Sequence, residues 1–580
     1  MPGPSGVRLG RLCAAAARKP RAPPIFKRCD VALAVRAAAS VAAPGQGLGR
    51  QRELAPAEGA LDLLRSIQGE SQSSNAEGGS QEQVPGLLLS VGAAVARADL
   101  PGPVAVGRAV AFADGGRGVV LRYDQKGAVV APLEGAPTRA GAEATVTGDL
   151  HVRLPESGLP ATGVSYISVV QALVEASPIS DEGTPLLRLP AMPAAARRRP
   201  VRRRLPTGLA VLEALQPLGE GHRVGLVGPP GTGKLSAVRA LLAAQDEDTV
   251  CVYAASRALP KLRQHLDSAG GARVVCVHAD PAQDPPVARY VLPLVGLRLA
   301  QDLLAKHRHV LLVIDDVLQN ARAAEDLGVL PIPPSQAIAA ALDAGGCVVR
   351  EGGGESALSV VTVFDIEARD EAMEPAIRDL WRSCEGSMDV CLHFAALADG
   401  YPVPSVAIDL EELLSRVGLV APAYQVPFMR LLRTELLRRL RRARELEQSL
   451  ELKTQLGLHH DIDEDEDVGS LRTARALLMP HALSRRSGGC EQPQQLPEIA
   501  VLLCAAAVLH FPGPRPSAAT LAGFQKELVA TIRDGHPALW SRLAAADAIA
   551  EAAEAAGLLR ELGETLLQHR GDFQLTRPVW

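Results

Sequence analysis

Val224-Gly225-Leu226-Val227-Gly228-Pro229-Pro230-Gly231-Thr232-Gly233-Lys234 is the stretch that decides the fold. An apolar strand-like run enters a Gly-x4-Gly-Lys loop, and a helical pattern from Leu235 to Ala244 follows. In such a loop the backbone N–H groups and the start of the helix face a phosphate, and Lys234 neutralises charge on the β- and γ-phosphates. The spacing therefore predicts nucleotide contacts at Gly228, Gly231, Thr232, Gly233, Lys234, Leu235 and Ser236. One position breaks the pattern. Leu235 stands where a Ser or Thr hydroxyl would ligate Mg²⁺, and Ser236, one residue later, points about 100° away on a helix of 3.6 residues per turn.

Downstream, His309-Val310-Leu311-Leu312-Val313-Ile314-Asp315-Asp316 reads as a buried strand ending in acid. Behind a phosphate loop, an Asp so placed orients Mg²⁺ through water, which assigns Asp315 as the metal-side residue. The loop after Val250-Cys251-Val252-Tyr253 runs Ala254-Ala255-Ser256-Arg257-Ala258-Leu259-Pro260 and contains no Glu to polarise an attacking water.

Around this centre the composition changes in blocks. Residues 84–156 are short β-runs cut by glycine turns, such as Asp114-Gly115-Gly116-Arg117-Gly118, and predict a small β-barrel or sandwich. Residues 157–420 alternate apolar strands with helical patterns, predicting a parallel α/β domain. Residues 421–580 are Leu-, Ala- and Arg-rich at helical spacing, predicting an α-helical bundle. Residues 53–83 read as an arm and linker, with an amphipathic piece from Leu61 to Ile67.

Charge is uneven along the 580 residues. Lys and Arg total 61 against 65 Asp and Glu, a net charge of -4. Ten of the basic residues fall in residues 1–52 with the single acid Asp30, the pattern of an organelle transit peptide. The near-neutral total excludes a DNA packer, and 3% aromatics leave little for stacking bases. Nine scattered Cys without a CxxC pair point to reduced thiols, not to disulfides or a zinc site. The most apolar run, Ile499 to Phe511, is shorter than the roughly 20 residues that span a bilayer.

The collinear motifs resemble the α subunit of F-type rotary ATP synthases. They are Leu205-Pro206-Thr207-Gly208 with Pro217 to Gly221 before the loop, Gly352-Gly353-Gly354-Glu355-Ser356, Asp399-Gly400-Tyr401-Pro402, Ser415-Arg416-Val417-Gly418 and His460-Asp461-Ile462-Asp463. Gly86 to Arg97 is similar to the opening of that subunit's barrel. The resemblance implies an N-terminal six-stranded β-barrel, a RecA-like domain and a helical C-terminal domain. It implies a non-catalytic subunit that alternates with β subunits in a proton-transporting complex. ATP or ADP would occupy a regulatory site, with Gln492 on the adenine side and Mg²⁺ weakened by Leu235. Arg416 would reach into the neighbouring β site, where an arginine given in trans is worth about 10³–10⁵ in rate. The implied partners are the β subunit, the central-stalk γ subunit and a peripheral-stalk δ/OSCP-type subunit, without nucleic acid and with membrane contact only through the complex. The implied location is the matrix side of the mitochondrial inner membrane, or alternatively the stromal side of the thylakoid.

Two other functions compete: an independent hexameric P-loop ATPase, such as an RNA translocase or secretion ATPase, and a scaffold without nucleotide. Leu235 and the 254–260 loop argue against the first. Three charged stretches read as structural surface: the linker Arg197 to Arg204, the turn after His459-His460, and the helix face from Arg430 to Arg444.

Overall fold

The computed structural model describes residues 85–569 apart from internal stretches, the longer ones being 177–185, 188–196, 367–374, 397–405, 409–423, 457–494 and 509–517. The expected arm and leader, the turn after His460, Arg416 and Gln492 all lie outside the described residues.

Six strands open the described chain: β1 (Gly86–Val91), β2 (Ala96–Asp99), β3 (Arg108–Phe112), β4 (Arg117–Asp124), β5 (Gly127–Glu134) and β6 (Glu143–Val152). They pair antiparallel in the order β1-β2-β5-β4-β3-β6, and β1 pairs back onto β6, so these strands form a closed ring. Closure leaves no free edge between these strands. Leu88, Val110, Phe112, Val120 and Val130 fill one buried cluster of this ring.

The chain then crosses to a second sheet and returns. β7 (Gly163–Ser168) pairs parallel with a strand of the larger sheet. α1 (Val169–Ala172), capped by Ser168 and Gln171, turns the chain into β8 (Leu173–Ala176), which pairs with β6. Arg117 fixes the crossing by donating to the carbonyls of Val170 and Leu173.

Small pieces lead into the centre: β9 (Arg198–Arg199), β10 (Arg204–Leu205), α2 (Ala210–Leu215) and β11 (Leu218–Gly219). The basic run is more tightly held here than a solvated linker would be. The Arg198 guanidinium donates to the carbonyls of Asp343 and Gly345, and Arg204 pairs with buried Glu213. Glu213 also accepts from the backbone and hydroxyl of Thr207, so the Pro206-Thr207-Gly208 lead-in serves to saturate a buried carboxylate.

The larger sheet is built from β12 (Arg223–Val227), β13 (Thr249–Ala255), β14 (Arg273–His278), β15 (His309–Asp315), β16 (Gly346–Val349), β17 (Glu355–Phe364), β18 (Val390–Ala396) and β19 (Val406–Ile408), together with β7 and β9. Its main order is β19-β18-β12-β17-β15-β13-β14-β7. From β18 to β7 the neighbours run parallel. β13 and β15 are buried along their whole length, as parallel strands covered on both faces must be.

Helices cover both faces: α3 (Lys234–Ala243), α4 (Leu259–Leu266), α5 (Pro286–Leu304), α6 (Val317–Leu327), α7 (Pro334–Ala344) and α8 (Pro375–Glu385). α5 is apolar nearly all round, and its buried residues join the core on one face of the sheet. Helices also dominate the C-terminal part: α9 (Pro427–Gln455), α10 (Leu496–Val508), α11 (Ala518–Gly535), α12 (Pro537–Ala544) and α13 (Ala552–Gln568). Their apolar residues share a core with α2, α3 and the other face of the sheet. Gln425 donates to the carbonyl of Glu213 and Arg433 to that of Leu215, tying the start of α9 to α2. Arg433 is thus buried, unlike the charged face expected for its neighbours. Among the described residues, no helix is long and apolar enough to cross a membrane.

Candidate functional site

The carboxyl ends of β12, β13, β15 and β17 converge, the place where open α/β sheets hold ligands. β12 supplies the phosphate loop. Gly228 is required there by close approach, since a Cβ would collide with the carbonyl of Phe394. Gly233 has φ of 85° at the N-cap of α3, a left-handed conformation that suits glycine. Lys234, the first residue of α3, is 3% exposed. Its Nζ donates to the carbonyls of Gly228 (2.6 Å) and Pro229 (2.7 Å) and to the Thr232 hydroxyl (3.2 Å). Thr232 Oγ1 in turn donates to the Pro229 carbonyl at 2.7 Å. The loop is folded onto its own lysine.

Lys234 has a further partner that sequence reasoning did not find. Asp365 Oδ1 lies 2.9 Å from Nζ. The strand order explains it, because β17 lies between β12 and β15 and Asp365 directly follows β17. A residue there stands between the loop lysine and Asp315. An apolar strand ending in Asp is the same signal that marked Asp315, and could have marked Asp365.

Asp315, at the end of β15, is fully buried and doubly held. Arg257 donates Nε to Oδ2 at 2.7 Å and Nη2 to Oδ1 at 3.0 Å, and the Tyr253 hydroxyl donates to Oδ2 at 2.8 Å. Tyr253 is pushed well above its usual pKa by burial and by the Asp315 charge, so it stays a donor. Burial alone would lower the pKa of Arg257, but the Asp315 hydrogen bonds and charge outweigh it and raise it. Asp316 caps α6 by accepting from the Leu318 amide. Burial, then the charges of Asp365 and Asp315, push its pKa up to about 6.

Residues 208–337 match a family model: ATP synthase alpha/beta family, nucleotide-binding domain. The match spans the lead-in, the loop, α3 and the strand ending at Asp315. The match and the parallel sheet together fit a RecA-like P-loop fold, a nucleotide-binding domain compatible with ATP or ADP.

A Mg²⁺ ion fits these residues poorly. Both Asp315 oxygens are engaged by the Arg257 guanidinium, and Oδ2 also accepts from Tyr253. Leu235 offers only its backbone carbonyl, which faces His265 Nε2 at 2.9 Å. Asp315, expected to orient the metal, here pairs with an arginine. Ser236 is half-buried on α3, and Ser256 follows β13 where a catalytic glutamate would be sought.

Proposed function

We propose that the chain is a non-catalytic α-type subunit of a proton-transporting ATP synthase. It would bind ATP or ADP at a regulatory site and alternate with catalytic β-type subunits in a hexamer. One observation carries this reading: the loop keeps its glycines and Lys234 while the metal-side carboxylate is closed by Arg257 and no glutamate follows β13. A site with binding groups and without a base suits a subunit that holds nucleotide without hydrolysing it. The ring of β1–β6 supports a barrel crown, and α9–α13 support a helical C-terminal domain. In this arrangement Arg416 is the residue offered to the neighbouring β site, and Gln492 stands on the adenine side. The γ and peripheral-stalk subunits are the other contacts, and the matrix face of the mitochondrial inner membrane is the location.

The second reading, a scaffold without nucleotide, is favoured by the contact of Lys234 with Asp365. Native fractionation of organelle membranes, followed by identification of the complex that holds the chain, tests the proposal. Comigration with β- and γ-type subunits supports it. Recovery solely as a free homohexamer with ATPase activity overturns it.

A further inference from the structure

Two ion pairs close on each other at the ends of β12, β13, β15 and β17. Lys234 pairs with Asp365, and Arg257 pairs with Asp315. Arg257 Nη2 also comes within 3.7 Å of Asp365 Oδ2. One carboxylate therefore bridges both cations, and one cation saturates the carboxylate that would hold a metal. Resting on the nucleotide reading above, we propose that the loop takes a nucleoside polyphosphate without a metal ion, with Arg257 as its built-in cation and Asp365 as the anion the phosphate displaces.

The exposures say which group moves. The side chain of Asp315 is 0% exposed and that of Asp365 is 21% exposed, so Asp365 can turn to water while Asp315 cannot. A buried ammonium such as Lys234 needs an anionic partner at all times. Asp365 supplies it in the free protein and a phosphate oxygen supplies it in the complex, so the lysine stays paired through the exchange. Arg257 is a permanent charge whose planar fork matches phosphate as well as carboxylate. Released by Asp365, it can bridge Asp315 and the incoming anion. Entry of a divalent cation at Asp315 would instead strip Arg257 of its carboxylate and set two positive charges side by side.

The test is equilibrium titration of the purified full-length chain with ATP and with ADP, once in EDTA and once in excess Mg²⁺. Binding in EDTA is expected to be at least as tight as in Mg²⁺. Tightening by Mg²⁺ of more than about tenfold, or 1.4 kcal/mol, overturns the metal-free site while leaving the nucleotide reading intact. Asp365→Asn keeps the shape and leaves the Arg257–Asp315 pair in place. It removes the competing charge and is expected to tighten binding in EDTA about tenfold, the scale of one charge-assisted hydrogen bond. Unchanged affinity in a folded Asp365→Asn chain overturns the displacement. No binding by either chain in either buffer overturns this inference together with the nucleotide reading beneath it.

Discussion

Arg257 and Asp315 form a two-bonded pair, Nε to Oδ2 at 2.7 Å and Nη2 to Oδ1 at 3.0 Å, across the neighbouring strands β13 and β15. Removing the arginine leaves a buried carboxylate held by the Tyr253 hydroxyl. Arg257→Ala is expected to destabilise the chain by about 2–3 kcal/mol, toward the lower end for breaking a buried pair because Arg257 is partly exposed. Urea unfolding monitored by circular dichroism checks it. A loss below about 0.5 kcal/mol would mean the pair is no stronger than a surface one.

Restoring the missing hydroxyl should not restore metal binding. Leu235→Thr adds a hydroxyl but leaves Asp315 paired with Arg257. Nucleotide affinity in Mg²⁺ is expected to stay within about threefold, or roughly 0.7 kcal/mol, of the parent chain. A fluorescent ATP analogue titrated against both chains measures this. A large gain in Leu235→Thr would place the defect at that one side chain.

Asp316 gives the site a pH dependence. Its folded pKa, about 6, lies above the ordinary 3.8. Between these values the folded chain keeps a proton that the unfolded chain has released, so this group's contribution to stability falls as pH rises through the window. Asp316→Asn retains an oxygen to cap the Leu318 amide and removes the titration. Its stability relative to the parent should rise from pH 4 to a plateau above pH 6, gaining about 2 kcal/mol. Unfolding midpoints across that range test the sign, and a flat difference would refute it.

His309 acts in the opposite direction at the other end of the same strand. It is buried between the Thr249 hydroxyl (3.1 Å) and the Ser359 hydroxyl (2.9 Å). Burial, then the charge of Arg308, lower its pKa to about 4. The unfolded chain takes up a proton below 6.5 that the folded chain refuses, so stability is lost as pH falls from 6.5 toward 4, on the order of 3 kcal/mol in full. NMR of the labelled imidazole should show His309 still neutral at pH 5.5. A protonated ring at that pH would contradict the network.

The strand, loop and helix around Lys234 were legible because each is set by local chemistry: apolar β-branched residues, glycines with special backbone needs, and a helix start. Asp315 was legible as a strand end, but its occupant was not. Arg257 lies 58 residues earlier and is brought over it only because β13 pairs with β15, with Ala255 opposite Asp315. Asp365 carried the same strand-end signal, but its pairing with Lys234 was hidden, since no local pattern announces that β17 inserts between β12 and β15. The return of β8 to the strand ring after β7 has joined the other sheet also depends on long-range pairing. The basic run from Arg197 looked solvated because its acceptors, carbonyls near Asp343 and Gly345, are distant in sequence.

The central claim is a nucleotide-binding site that does not turn over. ATP hydrolysis by the purified full-length chain, compared with its Lys234→Ala variant, tests it most directly. The expected result is no hydrolysis by the parent above that of the variant, with or without Mg²⁺. Turnover that depends on Lys234 would contradict the account.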